Sequence, residues 1–182
     1  MEIKRIISLC KKSGRLILFE NNGQQWLSDG SALYPLEDMP RFDRETVCRT
    51  YDISERKAGQ MDIRHELKMP GGYDPRDNLP DEVPCDFDEE FFERIVPVKT
   101  SEGLMFILKR YLSPFRDTPA DMLNLYERRT PDGGLYFAVK VGFALTGLIA
   151  PYDCINEEFV RRIKDVYELC EVALANKKEG RK

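Results

Sequence analysis

Residues 15–36 read RLILFENNGQQWLSDGSALYPL and carry the strongest structural signal in this chain. The stretch consists of β-rich apolar runs that are separated by Asn22-Gly23 and Asp29-Gly30. Asn-Gly and Asp-Gly between such runs are the strongest short signals for a hairpin turn. The stretch therefore predicts an antiparallel β-meander.

The residues before and after the meander extend this pattern. Ile3, Ile6, Ile7 and Cys10 fall at helical spacing and Gly14 can cap their helix, which predicts a short amphipathic helix before the meander. Residues 41–60 are ambiguous, although Asp43 with Glu45 could begin a helix, and residues 61–67, MDIRHEL, alternate as a strand does.

The second half of the chain contains two more hairpin patterns and a final helix. Residues 95–112 and 123–141 alternate around turns, and residues 143–150, FALTGLIA, are apolar enough for a central strand. Asn156 is placed to cap a last helix. We expect its apolar residues to form a buried stripe: Phe159, Ile163, Val166, Cys170 and Ala173.

These elements predict a single α+β domain over residues 1–182. Six to eight strands in an antiparallel meander and hairpins would lie between a short N-terminal helix and a longer C-terminal helix. A loop rich in proline, glycine and acids would interrupt them at residues 70–94. The segments 25–38 and 137–153 also share a faint internal echo, which either two matched hairpins or chance would explain.

The composition indicates a folded protein of the cytoplasm. Apolar residues make up 42% of the 182 residues, too many for a disordered chain. The five cysteines form no C-x-x-C pair, which favours reduced, packed thiols. The N-terminus does not match a signal peptide, and no stretch approaches the roughly 20 apolar residues of a membrane span.

The sequence lacks the usual signatures of catalysis. His65 is the only histidine, so a two-histidine metal site is excluded and a catalytic triad would have to use this one residue. Neither the phosphate-binding glycine loops nor the G-x-S-x-G nucleophile motif is present. We therefore expect no catalytic residue, no metal and no cofactor, and a protein that is not an enzyme.

Residues 74–93 are strongly acidic. They contain nine carboxylates against Arg76 alone, a net charge of 1 − 9 = −8, so that the other residues must sum to −4 + 8 = +4. Asp86, Asp88 and Glu90 alternate as Ca²⁺ ligands do, but Phe91 occupies the position where an EF-hand loop requires glycine. The same acids could also be the carboxylates of a two-metal nuclease or part of a solvated linker.

Aromatic residues among the acids favour an interface. Tyr73, Phe87, Phe91 and Phe92 are interleaved with the carboxylates, and a merely solvating segment has little reason to carry them. Spaced carboxylates could pair with the cations of a DNA-binding protein and so imitate DNA. The candidate partner-binding residues are Asp74, Asp77, Asp81, Glu82, Asp86, Asp88, Glu89, Glu90, Phe91, Phe92 and Glu93.

Several stretches carry a resemblance to a known family. They are GQQWLSDGSALYPLEDMP (23–40), CRTYDI (48–53), YLSPFRD (111–117), LYERRTPDGGLYFAVKVGF (125–143) and TGLIAPYDCIN (146–156). Through them nearly the whole chain resembles type II anti-CRISPR proteins, small proteins carried by bacterial phages and other mobile elements. The resemblance implies a non-enzymatic inhibitor that binds a guide-loaded CRISPR effector nuclease and blocks DNA recognition or cleavage.

A different function follows from the cations. Pairs such as Lys109-Arg110 and Arg128-Arg129 are mainly expected to be solvated, but they could contact nucleic acid. The chain would then be an accessory protein of phage replication or transcription, similar to half of a sliding clamp or otherwise DNA-binding. Either function is compatible with a monomer or a small homo-oligomer.

Overall fold

The computed structural model describes residues 2–89 and 92–179, and the chain divides into two compact units, Met1–Tyr152 and Asp153–Lys182. The first unit has three α-helices and ten β-strands among its described residues. They are α1 (Ile3–Ser13), β1 (Arg15–Asn21), β2 (Gln24–Ser28), β3 (Ala32–Pro35), α2 (Arg44–Thr50), α3 (Glu55–Gln60), β4 (Asp62–Glu66), β5 (Val83–Cys85), β6 (Ile95–Thr100), β7 (Gly103–Leu108), β8 (Leu123–Arg129), β9 (Leu135–Val141) and β10 (Ala144–Ile149). The second unit contains α4 (Glu157–Glu179). The predicted α+β class is confirmed.

Eight of the strands form one sheet, in the order β4-β1-β2-β3-β10-β9-β8-β5, and β6 pairs with β7 in a second sheet. Neighbouring strands are antiparallel except β1 and β4, which are parallel. The predicted meander is β1-β2-β3. Asn22 and Gly23 join its first two strands with φ of 48° and 82°, the left-handed geometry for which Asn-Gly turns are selected.

The two segments of the internal echo occupy matching places in the sheet. Residues 25–38 include most of the β2-β3 hairpin, and residues 137–153 include most of β9-β10. β3 and β10 pair at the centre of the large sheet, with Leu33 opposite Leu148. The meander β1-β2-β3 therefore lies in one half of the sheet, and the meander β8-β9-β10 lies in the other half. A helix precedes each meander, α1 in one case and the 3-10 helix Lys109–Phe115 in the other. The two matched hairpins considered from the sequence are therefore present.

Hydrophobic residues cover both faces of the large sheet. On one face, Ile6 and Cys10 of α1 pack with residues of the sheet, of β6-β7 and of the 3-10 helix. On the other face a smaller cluster contains Trp26 and Tyr136, with Met69 and Tyr73 packed against it. The segment after β4, with which the predicted acidic loop begins, therefore lies on the second face.

Several elements differ from the sequence-based expectation. The ambiguous residues 41–60 form two short helices, and the Asp43 side chain accepts a hydrogen bond from the Thr46 N–H at 2.7 Å, as a helix N-cap does. The strands number ten among the described residues rather than six to eight. Residues 109–112, predicted to continue a strand, belong instead to the 3-10 helix.

The predicted apolar stripe of α4 lies in the second unit: Phe159, Ile163, Val166, Cys170 and Ala173. Helical periodicity shows that a helix has an apolar face, but it does not show what covers that face. The burial of this stripe stays a prediction. Among the residues described here, no helix combines the length and the apolarity that crossing a membrane requires.

Candidate partner-binding surface

Two cations lie buried on the second face of the large sheet. Arg128 of β8 and Lys140 of β9 have 0% and 2% of their side chains exposed. A buried charge is tolerated only where it is paired and hydrogen-bonded, so the partners of these residues determine what covers the sheet here.

The Arg128 guanidinium holds the first part of the acidic loop. Its Nε and one terminal nitrogen both donate to Oε2 of Glu82, at 2.8 and 2.6 Å, as charge-assisted hydrogen bonds. It also donates, at 3.0, 2.9 and 2.8 Å, to the backbone carbonyls of Asp74, Arg76 and Asp77. One side chain of the sheet thus fixes four residues of the loop.

Lys140 completes this set of contacts, and we call Arg128, Lys140 and Glu82 together the anchor. Its ammonium group donates to the other carboxylate oxygen of Glu82 and, at 2.9 Å, to the side-chain oxygen of Asn78. It also lies 4.2 Å from the ring centroid of Tyr126, where the negative face of the ring attracts a cation. Glu82 is therefore shared between two buried cations.

The start of the loop makes further contacts with the sheet. Tyr73 stacks on Tyr136 with ring centroids 4.4 Å apart, and the Asp74 N–H donates to the Tyr136 hydroxyl at 3.1 Å. The Asp77 carboxylate accepts from the Leu145 N–H at 2.8 Å. The Asp74 carboxylate accepts from the Arg76 guanidinium at 2.6 to 3.0 Å. Three of the predicted partner-binding acids, Asp74, Asp77 and Glu82, are thus engaged within the chain.

The titration of Glu82 should make the anchor depend on pH. Burial raises the pKa of Glu82, but hydrogen bonds from Lys140 and Arg128 outweigh burial and leave the pKa below its ordinary value of 4.5. The stabilisation is present above that value and is lost as the pH falls through the lower pKa of the folded state. We expect urea unfolding midpoints to fall as the pH drops below about 4.5. They should fall less steeply in Glu82→Gln, and an equal slope in both proteins would contradict this role.

Beyond the anchor, the acidic segment passes from the edge of the large sheet to the second sheet. β5 pairs with β8 at the edge of the large sheet, and Phe87 then forms an isolated antiparallel bridge with Val98 of β6. The Lys99 N–H donates to the Asp86 carbonyl at 2.9 Å. Phe87 packs against the core, whereas Asp86 and Asp88 on either side of it are exposed. In an extended chain two such side chains lie on one face, about 6.6 Å apart.

Four predicted acids of residues 81–93 are exposed, and we call them the acidic strip: Asp81, Asp86, Asp88 and Glu93. Asp86 lies 3.6 Å from Lys99, but 85% and 77% of the two side chains are exposed. An exposed ion pair of this kind contributes little to stability, so a partner can displace it at low cost. Asp86 and Asp88 therefore present negative charge on a backbone held by hydrogen bonds.

The remaining predicted residues have other surroundings. Burial raises the pKa of the half-buried Glu89, and the nearby Lys109 partly offsets this effect. Phe92 lies with its ring centroid 6.2 Å from that of Phe106. Glu90 and Phe91 lie outside the described residues, so their predicted role stays a prediction.

A cleft of about 880 Å³ next to the acidic strip brings together cations that are distant in sequence. Its floor includes Leu112, Phe115 and Leu123. We call the cleft the basic cleft, after four of its lining residues: Arg94, Lys109, Arg110 and Arg116. Glu89 and Glu93 also line it, which reduces its net positive charge.

His65 and the carboxylates were the sequence candidates for chemistry. His65 lies on the edge strand β4, exposed, with its Nε2 3.5 Å from the Glu20 carboxylate. Within residues 2–89 and 92–179, no group of three histidine, cysteine or acidic side chains is placed to hold a metal ion. The acidic strip and the basic cleft remain as candidate binding surfaces of this unit.

A functional proposal has to rest on these two surfaces, because comparisons with known proteins found no match. The chain matches no protein-family model, no curated protein and no solved structure.

Proposed function

We propose that this chain is a non-enzymatic inhibitor that binds a type II CRISPR effector nuclease and blocks its recognition or cleavage of DNA. The acidic strip is the observation that carries this proposal. The inhibitor would act in the cytoplasm of the bacterial host, where such a nuclease is loaded with its guide RNA.

The chemistry of the target supports this choice. Such a nuclease holds its nucleic acids in positively charged channels and reads the short motif next to its target with arginines. A ligand that competes for these surfaces needs carboxylates at fixed spacing and little conformational freedom to lose. Asp86 and Asp88 meet both requirements, because they alternate with the packed Phe87 in an extended segment bridged to β6.

The carboxylates of the acidic segment have two different roles: some hold the loop on the sheet, and others face solvent. Glu82 holds the loop on the buried cations Arg128 and Lys140, which neutralise its charge, and the exposed Asp77 holds the loop by accepting from the Leu145 N–H. The carboxylates of the acidic strip face solvent on the same segment. A prearranged acidic surface binds with a smaller entropic cost than a flexible acidic tail.

A plasmid-cleavage assay tests the proposal. Purified nuclease, guide RNA and target plasmid are mixed with the protein in excess, in separate reactions for several type II effectors. We expect cleavage to stop for at least one effector when the protein is added before the DNA. Full cleavage by all of them would reject the proposal.

The basic cleft favours a second candidate function, DNA binding by an accessory protein of phage replication or transcription. Four cations around one cleft could contact the phosphate backbone, although Glu89 and Glu93 on its rim oppose this. The paired three-strand meanders, which contain the two segments of the internal echo, also favour this candidate. A gel shift with duplex and single-stranded DNA at low salt separates the candidates, because the inhibitor needs no DNA contact of its own.

A further inference from the structure

Phe143 lies at the tip of the hairpin between β9 and β10, and it is 88% exposed. Val141 pairs with Ala144, so the turn consists of Gly142 and Phe143 alone. Only the first of these two residues has a positive φ, 62° at Gly142, which is the geometry of a type II′ turn. Such a turn requires the glycine but no aromatic residue after it. The fold therefore does not account for Phe143.

A second exposed apolar side chain lies beside this tip. The Gly142 N–H donates to the Met122 carbonyl at 2.9 Å, and Met122 is 44% exposed. Single exposed apolar residues are common on protein surfaces, but an aromatic ring on a tight turn has little conformational freedom to lose when it binds. Phenylalanine and methionine are also enriched in protein interfaces. The tip therefore has the composition of an interface anchor.

The pairing of the strands places this tip and the exposed Asp86 of the acidic strip at the same end of the large sheet. Cys85 of β5 lies opposite Leu125 of β8, and Leu123 of β8 lies opposite Val141 of β9. The chain after Cys85 therefore leaves the sheet at the end where the β9-β10 turn lies. Only β8 and β9 separate β5 from β10, so at about 4.8 Å per strand the backbone of Asp86 lies roughly 10–15 Å from the tip.

Two more exposed carboxylates lie near the tip. Asp121 directly precedes Met122, and Asp77 accepts from the N–H of Leu145, two residues after Phe143. Carboxylates repel phosphates, whereas a protein surface with cations around an apolar pocket would complement both the ring and the acids. A protein of this chemistry is therefore the favoured occupant. Since the basic cleft extends to Leu123 of the neighbouring strand, a nucleic acid is the competing occupant.

One interface can cover the tip and the nearby acids together. A protein interface of standard size buries about 800 Å² on each partner, a patch roughly 30 Å across. A few large anchors in such a patch carry most of the binding energy, and the charges around them speed encounter and fix orientation. A type II nuclease has the positively charged surfaces that would meet the acids.

We propose that Phe143 is an aromatic anchor beside the acidic strip, and that its ring inserts into an apolar pocket next to the basic surface of the guide-loaded nuclease. This inference rests on the proposed inhibition and extends it, because it assigns affinity to a residue outside the acidic segment. The strip supplies attraction that salt screens, and Phe143 supplies apolar contact that salt does not screen.

The affinity for a guide-loaded nuclease that the wild-type protein inhibits tests this inference. Phe143→Ala should weaken binding by about 30-fold or more, as the loss of an interface anchor does, and by the same factor at low and at high salt. Leu67→Ala is the matched control. Leu67 is 81% exposed, but it follows β4, the edge strand opposite β5 in the large sheet. Binding by this control should stay within about threefold of the wild type.

The outcomes separate this inference from the proposed inhibition. If the wild-type protein binds and Phe143→Ala binds equally well, the inference is overturned and the inhibition stands. If the wild-type protein binds no effector, both are overturned. If Phe143→Ala keeps its affinity for the nuclease but loses binding to DNA in a gel shift, Phe143 belongs to a nucleic-acid surface and the inference is overturned.

Photo-cross-linking tests the contact even if Phe143→Ala loses stability. With p-benzoylphenylalanine in place of Phe143, irradiation should link the protein to the nuclease, and the same group in place of Leu67 should form no such link. A link to another part of this chain, or no link from a variant that still inhibits, would overturn the proposal.

Discussion

Replacement of Arg128 by methionine should lower the free energy of unfolding by about 3–5 kcal/mol, the usual cost of removing one partner of a buried ion pair. The change leaves Glu82 buried with Lys140 as its only remaining cation, and it removes the donor to three backbone carbonyls. Urea unfolding followed by the fluorescence of the single tryptophan, Trp26, measures the effect.

Arg76→Met provides the matched control for this prediction. Arg76 belongs to the same loop and pairs with Asp74, but 69% of its side chain is exposed. Its replacement should therefore change stability much less than Arg128→Met does. If Arg128→Met only releases the loop, limited proteolysis should cut residues 70–85 faster than in the wild type. An Arg128→Met protein with wild-type stability and wild-type resistance to proteolysis would show that this anchor is not needed.

Reversal of charge in the acidic strip should abolish most of the inhibition. In the triple variant Asp81→Lys, Asp86→Lys and Asp88→Lys, three attractive charges against a basic surface become repulsive. Like charges brought together at an interface cost several kcal/mol, so we expect inhibitory potency in the cleavage assay to fall by about 100-fold or more. All three residues are exposed, and the fold should therefore survive the change.

A second triple variant separates the position of the charge from its amount. Glu45→Lys, Glu55→Lys and Asp62→Lys change the net charge equally, also at exposed positions. They lie on α2, α3 and β4, and β4 is the edge strand opposite β5 in the large sheet. Potency in this variant should stay within about threefold of the wild type. Equal losses in both variants would mean that net charge, and not the acidic strip, controls inhibition.

Much of the fold could be predicted from the sequence, because turn residues and strand alternation mark the hairpins. Asn22-Gly23 predicts a turn with positive φ at both positions, and the structure has it. The parallel pairing of β1 with β4 was less accessible, because those strands are separated in sequence by two other strands and two helices. Local patterns specify strands, but the long-range order of a sheet depends on packing between distant segments.

The composition could not predict which carboxylates of the acidic segment are paired with buried cations and which are exposed. A count of carboxylates treats Glu82 and Asp86 alike, although one is shared by two buried cations and the other is exposed. A signal for the anchor did exist: Lys140 interrupts the apolar run FAVKV at a position that should be covered. A cation inside such a strand predicts a buried carboxylate partner, but it does not identify which one.

The basic cleft could not be predicted from the sequence either. Lys109 and Arg110 were visible as a pair, but Arg94 lies just before β6 and Arg116 just after the 3-10 helix. Only the folded chain places them around one cleft. Residue spacing predicts neighbours within an element, and neighbours across elements require the tertiary structure.

Direct binding to a guide-loaded type II nuclease tests the proposed inhibition most directly. The affinity of the wild-type protein is measured by biolayer interferometry at low and at high salt, with the triple variant of the acidic strip alongside. We expect specific binding that weakens at least about tenfold as salt rises from about 50 to about 300 mM, and much weaker binding by the variant. Absence of binding to every effector tested, or binding that neither salt nor charge reversal weakens, would contradict the proposal.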